Sequence, residues 1–414
     1  MCARGAGLAW HPEFLKLWVA SAVDDVGSQV SALALPLIAA LTLGASSWQM
    51  GLLSAAGSAP TLLVGLFAGV WVDRLRRQPI MVAANIGSAA LLLTIPMASV
   101  AGGLQIELLC AVALAAGALA MVFDLAHLAF VPSLVGRDRV VEANSKIEAT
   151  WSSAQVAGPG LGGLLVGALG APFAVSIDAL SFLASALLIG RIRVSETPPP
   201  GLAQRTGLIA EIREGLQVVF RHPILRVLAG SSATANLFGR MFLAVYILYM
   251  TRDLGLSAVG VGLVLATGGL GSLAGSLVAA PAARRFGPGP AMIVGQLLFG
   301  VTGLAVPLAV LVPTVAIPMI VASEFLQWMT YLIYSVNAIS VRQALTPDRV
   351  LGRVNATMRV LGGGVLPIGA LIGGALGGII GLPLTLVAAE CGMLLAFLWL
   401  LFSPVRELRR LASA

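Results

Sequence analysis

Gly69-Val70-Trp71-Val72-Asp73-Arg74-Leu75-Arg76-Arg77 joins two long apolar runs, and how it is read decides the fold. Arg74, Arg76 and Arg77 cannot rest in hydrocarbon, so the stretch is a loop at a membrane face. An excess of Lys and Arg marks that face as cytoplasmic. Gly69 allows another helix to approach closely, as small residues do in membrane packing. Asp73, at a helix end, needs a cationic or amide partner, and such a pair can break when helices rock. The simpler account is a plain basic turn between two spans, and the rest of the chain argues for more.

Composition sets the class. The 414 residues are 58% hydrophobic and 10% charged, where a soluble domain carries about 25% charged residues. Apolar runs of about 20 residues, the length that crosses a bilayer, recur from end to end about twelve times. The net charge of +7 does not point to nucleic acid. Nearly every Lys and Arg falls at alternate ends of the spans, with Arg252 the basic residue of a loop on the opposite side. This pattern predicts cytoplasmic termini. Cys2, Cys110 and Cys391 offer neither a disulfide framework nor metal-ligand spacing. The first apolar run continues past Leu35, longer than the core of a cleavable leader.

The predicted spans cover about 14–41, 48–72, 80–100, 106–131, a fifth from near 147, 173–190, 224–249, 258–280, 291–312, 315–342, 354–379 and 382–402. Between the sixth and seventh lies a polar linker, 191–222. It contains Pro198-Pro199-Pro200-Gly201, which breaks helix. It ends with Ile209, Ile212, Leu216 and Val219 at helical spacing among Glu211, Arg213 and Glu214, predicting an amphipathic helix on the membrane surface. A simple connector is compatible with the same residues.

The chain repeats itself. A shift of about 211 residues brings Gly44, Gly51 and Gly57 onto Gly255, Gly262 and Gly268, and Arg74 and Pro79 onto Arg285 and Pro290. It also brings Gly158, Gly162, Gly163, Gly170 and Pro172 onto Gly369, Gly373, Gly374, Gly381 and Pro383. Two six-span halves in parallel relation follow, residues 1–190 and 223–414. In the second copy Arg284 replaces Asp73.

The loop at Gly69, Asp73, Arg74 and Arg77 resembles the cytoplasmic loop between helices 2 and 3 of the major facilitator superfamily, with Arg76 standing where that family usually has Gly. Gly158-Pro159-Gly160-Leu161-Gly162-Gly163 resembles the Gly-Pro-x-x-Gly-Gly core of the superfamily's antiporter motif, with Ala154 where a Gly is expected. The pattern Ile177-Asp178-Ala179-Leu180-Ser181-Phe182 is similar to the branch of enterobactin and macrolide exporters. The resemblance implies an all-α membrane protein with about twelve transmembrane helices in two pseudo-symmetric halves and substrate bound between them. It implies a secondary transporter of the inner (plasma) membrane that exports small organic compounds, such as drugs, siderophores or secondary metabolites, by proton antiport. It implies a likeness to monomeric transporters without a cofactor. An importer or facilitator of a polar metabolite on the same fold, a non-transporting membrane sensor, and a permease driven by a separate ATPase are the rivals. Neither a Walker loop nor a His-Glu-x-x-His helix occurs, and His11, His127 and His222 are too scattered for a metal site.

Charged residues inside spans are costly and are functional candidates by default. On span 1, Ser21, Asp24, Asp25 and Ser28 fall on one helical face. Adjacent carboxylates oppose each other's ionisation, which suits reversible proton uptake. A one-residue slip of the repeat sets Asp24 against Asn236 and Gly27 against Gly239, so either acid can be the central one, with Asp25 the favoured of the two. On span 4, Asp124 and His127 form a possible relay or a structural pair. Span 7 carries Ser232, Asn236 and Arg240, and that arginine needs an acid from among Asp24, Asp25 and Glu324. Span 10 carries Glu324, Gln327, Trp328, Tyr331 and Ser335 on one face, a stripe able to hold an amphipathic organic ligand. Asp178 and Glu390, on helices expected at the periphery, read as structural. Arg353 and Arg359 are the expected partners of Asp73, and the Gly158–Gly162 face is expected to pack on a helix of the other half.

Overall fold

The computed structural model describes residues 8, 11–63, 75–194 and 208–409. Gly69, Asp73 and Arg74 lie outside the described residues, as does the Pro198–Gly201 run. The described residues are almost entirely helical. In chain order the helices are α1 (Pro12–Leu37, running on as a π turn through Thr42), α2 (Ser47–Leu63), α3 (Arg77–Val100), α4 (Ile106–Val135), α5 (Val140–Leu169) and α6 (Ala171–Gly190). Then come α7 (Leu208–Arg221), α8 (Pro223–Arg252), α9 (Ala258–Phe286), α10 (Pro288–Gly303), α11 (Ala316–Leu345), α12 (Asp348–Gly363), α13 (Leu366–Ile379) and α14 (Leu382–Leu401). Ten spans among the described residues are long and apolar enough to cross a membrane, with α12 and α13 counted as one. The other two of the twelve are α2, described as far as Leu63, and α5, whose first half is polar.

Two predicted spans are interrupted. The eleventh divides at Gly364 and Val365 into α12 and α13, with Pro367 in the first turn of α13. Pro367 lacks an amide hydrogen, and Gly362-Gly363-Gly364 ahead of it gives no side chain to hold the ladder. The ninth ends at Gly303 and continues as a short helix, Ala305–Leu308. By contrast, α5 runs unbroken through Pro159.

The chain groups into two compact units, Met1–Gly44 with Ala56–Gly201 and Ala45–Ala55 with Leu202–Ala414. The repeat is legible in the backbone of both. Gly44 and Gly255 take left-handed φ values of 60° and 66°, and Gly170 and Gly381 both take 84°. A side chain is strained in that region, so glycine is required at these turns. Gly287, at φ 95°, is the N-cap of α10. Its counterpart Arg76 sits at φ −66°, so the arginine is accommodated by a different turn.

In the first unit α1 packs on α4, α5 and α6. Gly158 and Gly162 of α5 face Gln29, Val30 and Leu33 of α1, so this face meets a helix of its own unit, not of the other half as the sequence predicts. In the second unit Gly369 and Gly373 of α13 press on the backbone of Leu237 and Met241 of α8 in the same way. Small residues at these four places let the helices approach closely, onto the Gln29 side chain at Gly158 and onto partner backbone at the other three. The start of α2 packs on α13, where a Cβ on Gly51 would stand 2.8 Å from the Ala370 carbonyl oxygen and from Gly374 Cα. Arg252 donates to the Ala45 carbonyl at 2.7 Å, which gives that solitary basic residue a structural role.

The linker helix is α7, as its spacing predicts. Val219 is fully buried among Leu225, Val354 and Met358, so α7 packs on α12 as well as presenting a polar face. Gly215 abuts Arg353, whose guanidinium pairs with Glu214. Both partners of this pair are partly exposed, and such pairs contribute about 0.2–1 kcal/mol. Glu214→Ala is therefore expected to lower thermal stability of the purified protein only slightly. A large loss would mean that α7 holds the second unit together.

Candidate functional site

The first unit's candidate residues converge on α1. Gly27 makes this possible, because a Cβ there would overlap the Ser181 hydroxyl and stand 2.8 Å from Asp178 Oδ1. Asp178, 2% exposed, is thereby held against α1. Ser181 Oγ donates to the Asp178 carbonyl at 2.8 Å and lies 3.3 Å from its Oδ1. Asp24 is 8% exposed, and its Oδ1 is buried with no hydrogen-bond partner among the described residues. It lies close enough to Asp178 for the two carboxyls to repel when charged. Asp25 is only half-buried, and its acidic neighbours are Asp124 and Glu148. The two adjacent acids share Asp124 of α4 as a neighbour, and Asp24 alone also has Asp178 of α6 near it. Ser21 Oγ and His127 Nε2 are 3.3 Å apart, and the His127 ring stacks on Phe123 at 5.9 Å. Asp124 is exposed one turn earlier on α4.

A second feature of this unit is absent from the sequence reading. Trp18 donates to Thr150 Oγ1 at 2.8 Å, and Lys146 Nζ sits 5.5 Å from the Trp18 ring, a cation–π contact. These side chains line an open groove between α1 and α5.

In the second unit Glu324 and Gln327 of the α11 stripe are turned into the helical bundle, while Trp328 is exposed and Tyr331 and Ser335 are half-buried. Glu324, 4% exposed, accepts from Tyr246 OH at 2.9 Å and from Trp328 Nε1 at 2.9 Å. Gly268 of α9 leaves room for this, since a Cβ there would stand 3.1 Å from Glu324 Oε1. Gln327 is 5% exposed and donates to Glu390 Oε1 of α14 at 3.4 Å. Trp328 and Tyr331 meet edge to face at 5.6 Å, with Phe299 5.8 Å from Tyr331. Arg240 is half-buried, and its Nε has no hydrogen-bond partner among the described residues. Asn236 and Ser232 lie beside Gly362, where a Cβ would stand 2.9 Å from Asn236 Nδ2 and 3.3 Å from Ser232 Oγ. The polar face of α8 therefore borders the break between α12 and α13. Of the remaining residues singled out from the sequence, Arg77 is the first residue of α3, Pro159 lies inside α5, and Gly163 is buried.

Among the described residues no cluster could hold a metal ion. What the arrangement provides is membrane-embedded acids, one with an unpartnered oxygen, on helices of two repeat-related units. A family model described as a transmembrane secretion effector matches residues 8–414. The chain belongs to the transmembrane secretion effector family. It is a multi-pass transporter of the major facilitator superfamily, and the ten membrane-crossing helices among the described residues agree with that.

Relatives of this chain carry exporter names. It is 28% identical over 408 residues to the multidrug efflux pump Tap of Mycolicibacterium fortuitum, covering 95% of this chain and 96% of that protein. It is 29% identical over 421 residues to the enterobactin exporter EntS of Citrobacter koseri, covering 97% and 94%. Solved structures share the fold at lower identity. A bacterial homologue of the iron transporter ferroportin in its inward-facing state gives a TM-score of 0.77 at 17% identity, over 95% of this chain and 98% of that one. A bacterial homologue of the human lysosomal transporter Spinster, inward-facing and occupied, gives 0.73 at 16%, over 99% and 100%.

Proposed function

We propose that the protein exports small organic compounds in exchange for protons by alternating access, with Asp24 as the acid that takes up and releases the proton. The observation that carries this reading is the Asp24 carboxyl, buried in a membrane-spanning helix beside Asp178, with an oxygen that no described residue satisfies. A buried carboxylate lacking a cation is costly, and the neutral acid much less so. The charge on Asp24 therefore biases the protein between a state that keeps it dry and one that wets it. Asp25, with Asp124 and His127, is the alternative path on the α4 side of the same helix.

The cargo class follows from the relatives, which are named for drugs and for enterobactin. Trp328, Tyr331 and Phe299 give the second unit an aromatic surface suited to amphipathic compounds, and Asn236, Arg240, Glu324 and Gln327 its polar part. In this reading residues 1–190 and 223–414 are the two halves and 191–222 the cytoplasmic linker. The termini are cytoplasmic, in the inner membrane, and one chain is the working unit. The test begins with a thermal-shift screen of the purified protein against aromatic cations, ethidium among them, and catecholate siderophores. Flux of the best ligand into inside-out vesicles under an acid-lumen gradient follows. Uptake abolished by an uncoupler is expected. Uptake that survives the uncoupler excludes proton antiport, and movement only in the opposite direction favours an importer.

A further inference from the structure

The sixth helix of each repeat carries one deeply buried acid, Asp178 on α6 and Glu390 on α14, at 2% and 1% exposure. Pro172 and Pro383, in the first turns of these helices, are 211 residues apart, so Asp178 lies opposite Ala389, one residue before Glu390. The packing is similar, since Gly27 abuts Ser181 and a Cβ on Gly239 would stand 2.8 Å from the end of Met393.

Glu390 is poorly satisfied where it lies. Its Oε1 receives one long hydrogen bond, 3.4 Å from Gln327 Nε2, and its Oε2 is buried with no partner among the described residues. Gln327 follows Glu324 by one helical turn, so its bond to Glu390 brings the acid of α14 near that of α11. Gly303 of α10 closes the space, because a Cβ there would overlap both the Gln327 amide and the Glu390 carboxyl. Among the described residues no ion pair involves Glu324 or Glu390. The groups that face the pair can be named helix by helix. On α8, Tyr246 donates its hydroxyl to Glu324, and Tyr249 turns its own away to the Val306 carbonyl. On α11 it is Glu324 itself that faces Glu390. Neither α10, α13 nor the short helix Ala305–Leu308 carries a titratable residue, and the basic residues of α9 lie in its last turn.

We infer that Glu390, with Glu324 across Gln327, is a second proton-binding site inside the second unit. Two buried carboxyls with no ion-pair partner among the described residues cannot both be charged at tolerable cost, and one exchangeable proton relieves that cost. The neutral Glu390 also turns an orphaned acceptor into a hydroxyl donor. The site's place in a transport cycle rests on the antiport reading, whereas its occupancy by a proton does not.

The test is infrared difference spectroscopy on the full-length protein in lipid nanodiscs, with carbon-13 in its glutamate carboxyls, stepped from acid to alkaline buffer in H2O and D2O. The expected result is a protonated-glutamate carbonyl band that exchanges slowly with deuterium and titrates with pH. It should disappear in Glu390→Gln, shift in Gln327→Leu, and persist in the Asp24→Asn, Asp25→Asn variant. The wild type alone suffices to overturn the inference if no slowly exchanging glutamate band is present, whatever the variants do. A band unchanged in folded Glu390→Gln overturns it equally. If the band behaves as expected while vesicle flux ignores the pH gradient, the site stands and the antiport reading falls.

Discussion

Vesicles with an acid lumen that carry the Asp24→Asn, Asp25→Asn variant should fail to concentrate ethidium, or whichever ligand the screen selects, while still letting it move down its own gradient. A one-for-one exchange of a proton for a monovalent cation supports about a tenfold accumulation per unit of pH difference. The variant should fall to about onefold, because an amide has no proton to trade. Downhill movement should survive because asparagine nearly keeps the volume of aspartate, and with it the packing of α1 on α6. The single variants separate the two acids. If Asp24 is the carrier, Asp24→Asn reproduces the double variant and Asp25→Asn retains most of the accumulation. Full accumulation by the double variant removes span 1 from the coupling and leaves Asp124 with His127 as the next candidate.

Gly158→Leu should insert into the membrane and yet lose both transport and much of its thermal stability. The reason is the contact of α5 with α1. Even a Cβ at Gly158 overlaps the Cβ of Gln29, an atom that cannot swing away because it is fixed to the α1 backbone. Overpacking of a tight contact typically costs ~1–3 kcal/mol, and leucine adds a branched chain to an interface that rejects a methyl. Gly158→Ala should show a smaller loss in the same direction. Gly57 supplies the control, since a Cβ there meets nothing within 4 Å. Its replacement by alanine should be neutral or stabilise by about 0.5–1 kcal/mol. Melting temperature read beside flux separates the two effects. A Gly158→Leu protein with unchanged melting and full transport would contradict the packing described for α5.

The architecture was legible because it rests on signals local to each segment. Hydropathy marks the spans, Lys and Arg mark their ends, and a repeat in identical register survives in the turns at Gly44 and Gly255 and at Gly170 and Gly381. What was not legible depends on which neighbour a face meets. Asp24 and Asp25 are adjacent, so they stand 100° apart on the helix. The sequence of span 1 says nothing about α6 and α4 being the helices on either side. For the same reason the small face of Gly158 and Gly162 was readable and its partner was not. Asp178 and Glu390 read as peripheral because the last helix of each half was expected to face lipid, but both side chains point inward. The break at Gly364 was within reach, since three glycines ahead of Pro367 are a sufficient warning.

That break gives the two repeats unequal mechanics. The fifth helix of the first repeat is one continuous rod, α5. Its counterpart is a jointed one, with α13 seated on α8 through backbone contacts and α12 clasped by α7 through Val219, Gly215 and the Glu214–Arg353 pair. A rod bends by stretching the hydrogen bonds along one side. A joint swings by turning a few backbone torsions and stretches none. Compliance in this protein is therefore lopsided, with a swivel at Gly364 in one repeat and an unbroken rod at the matching place in the other.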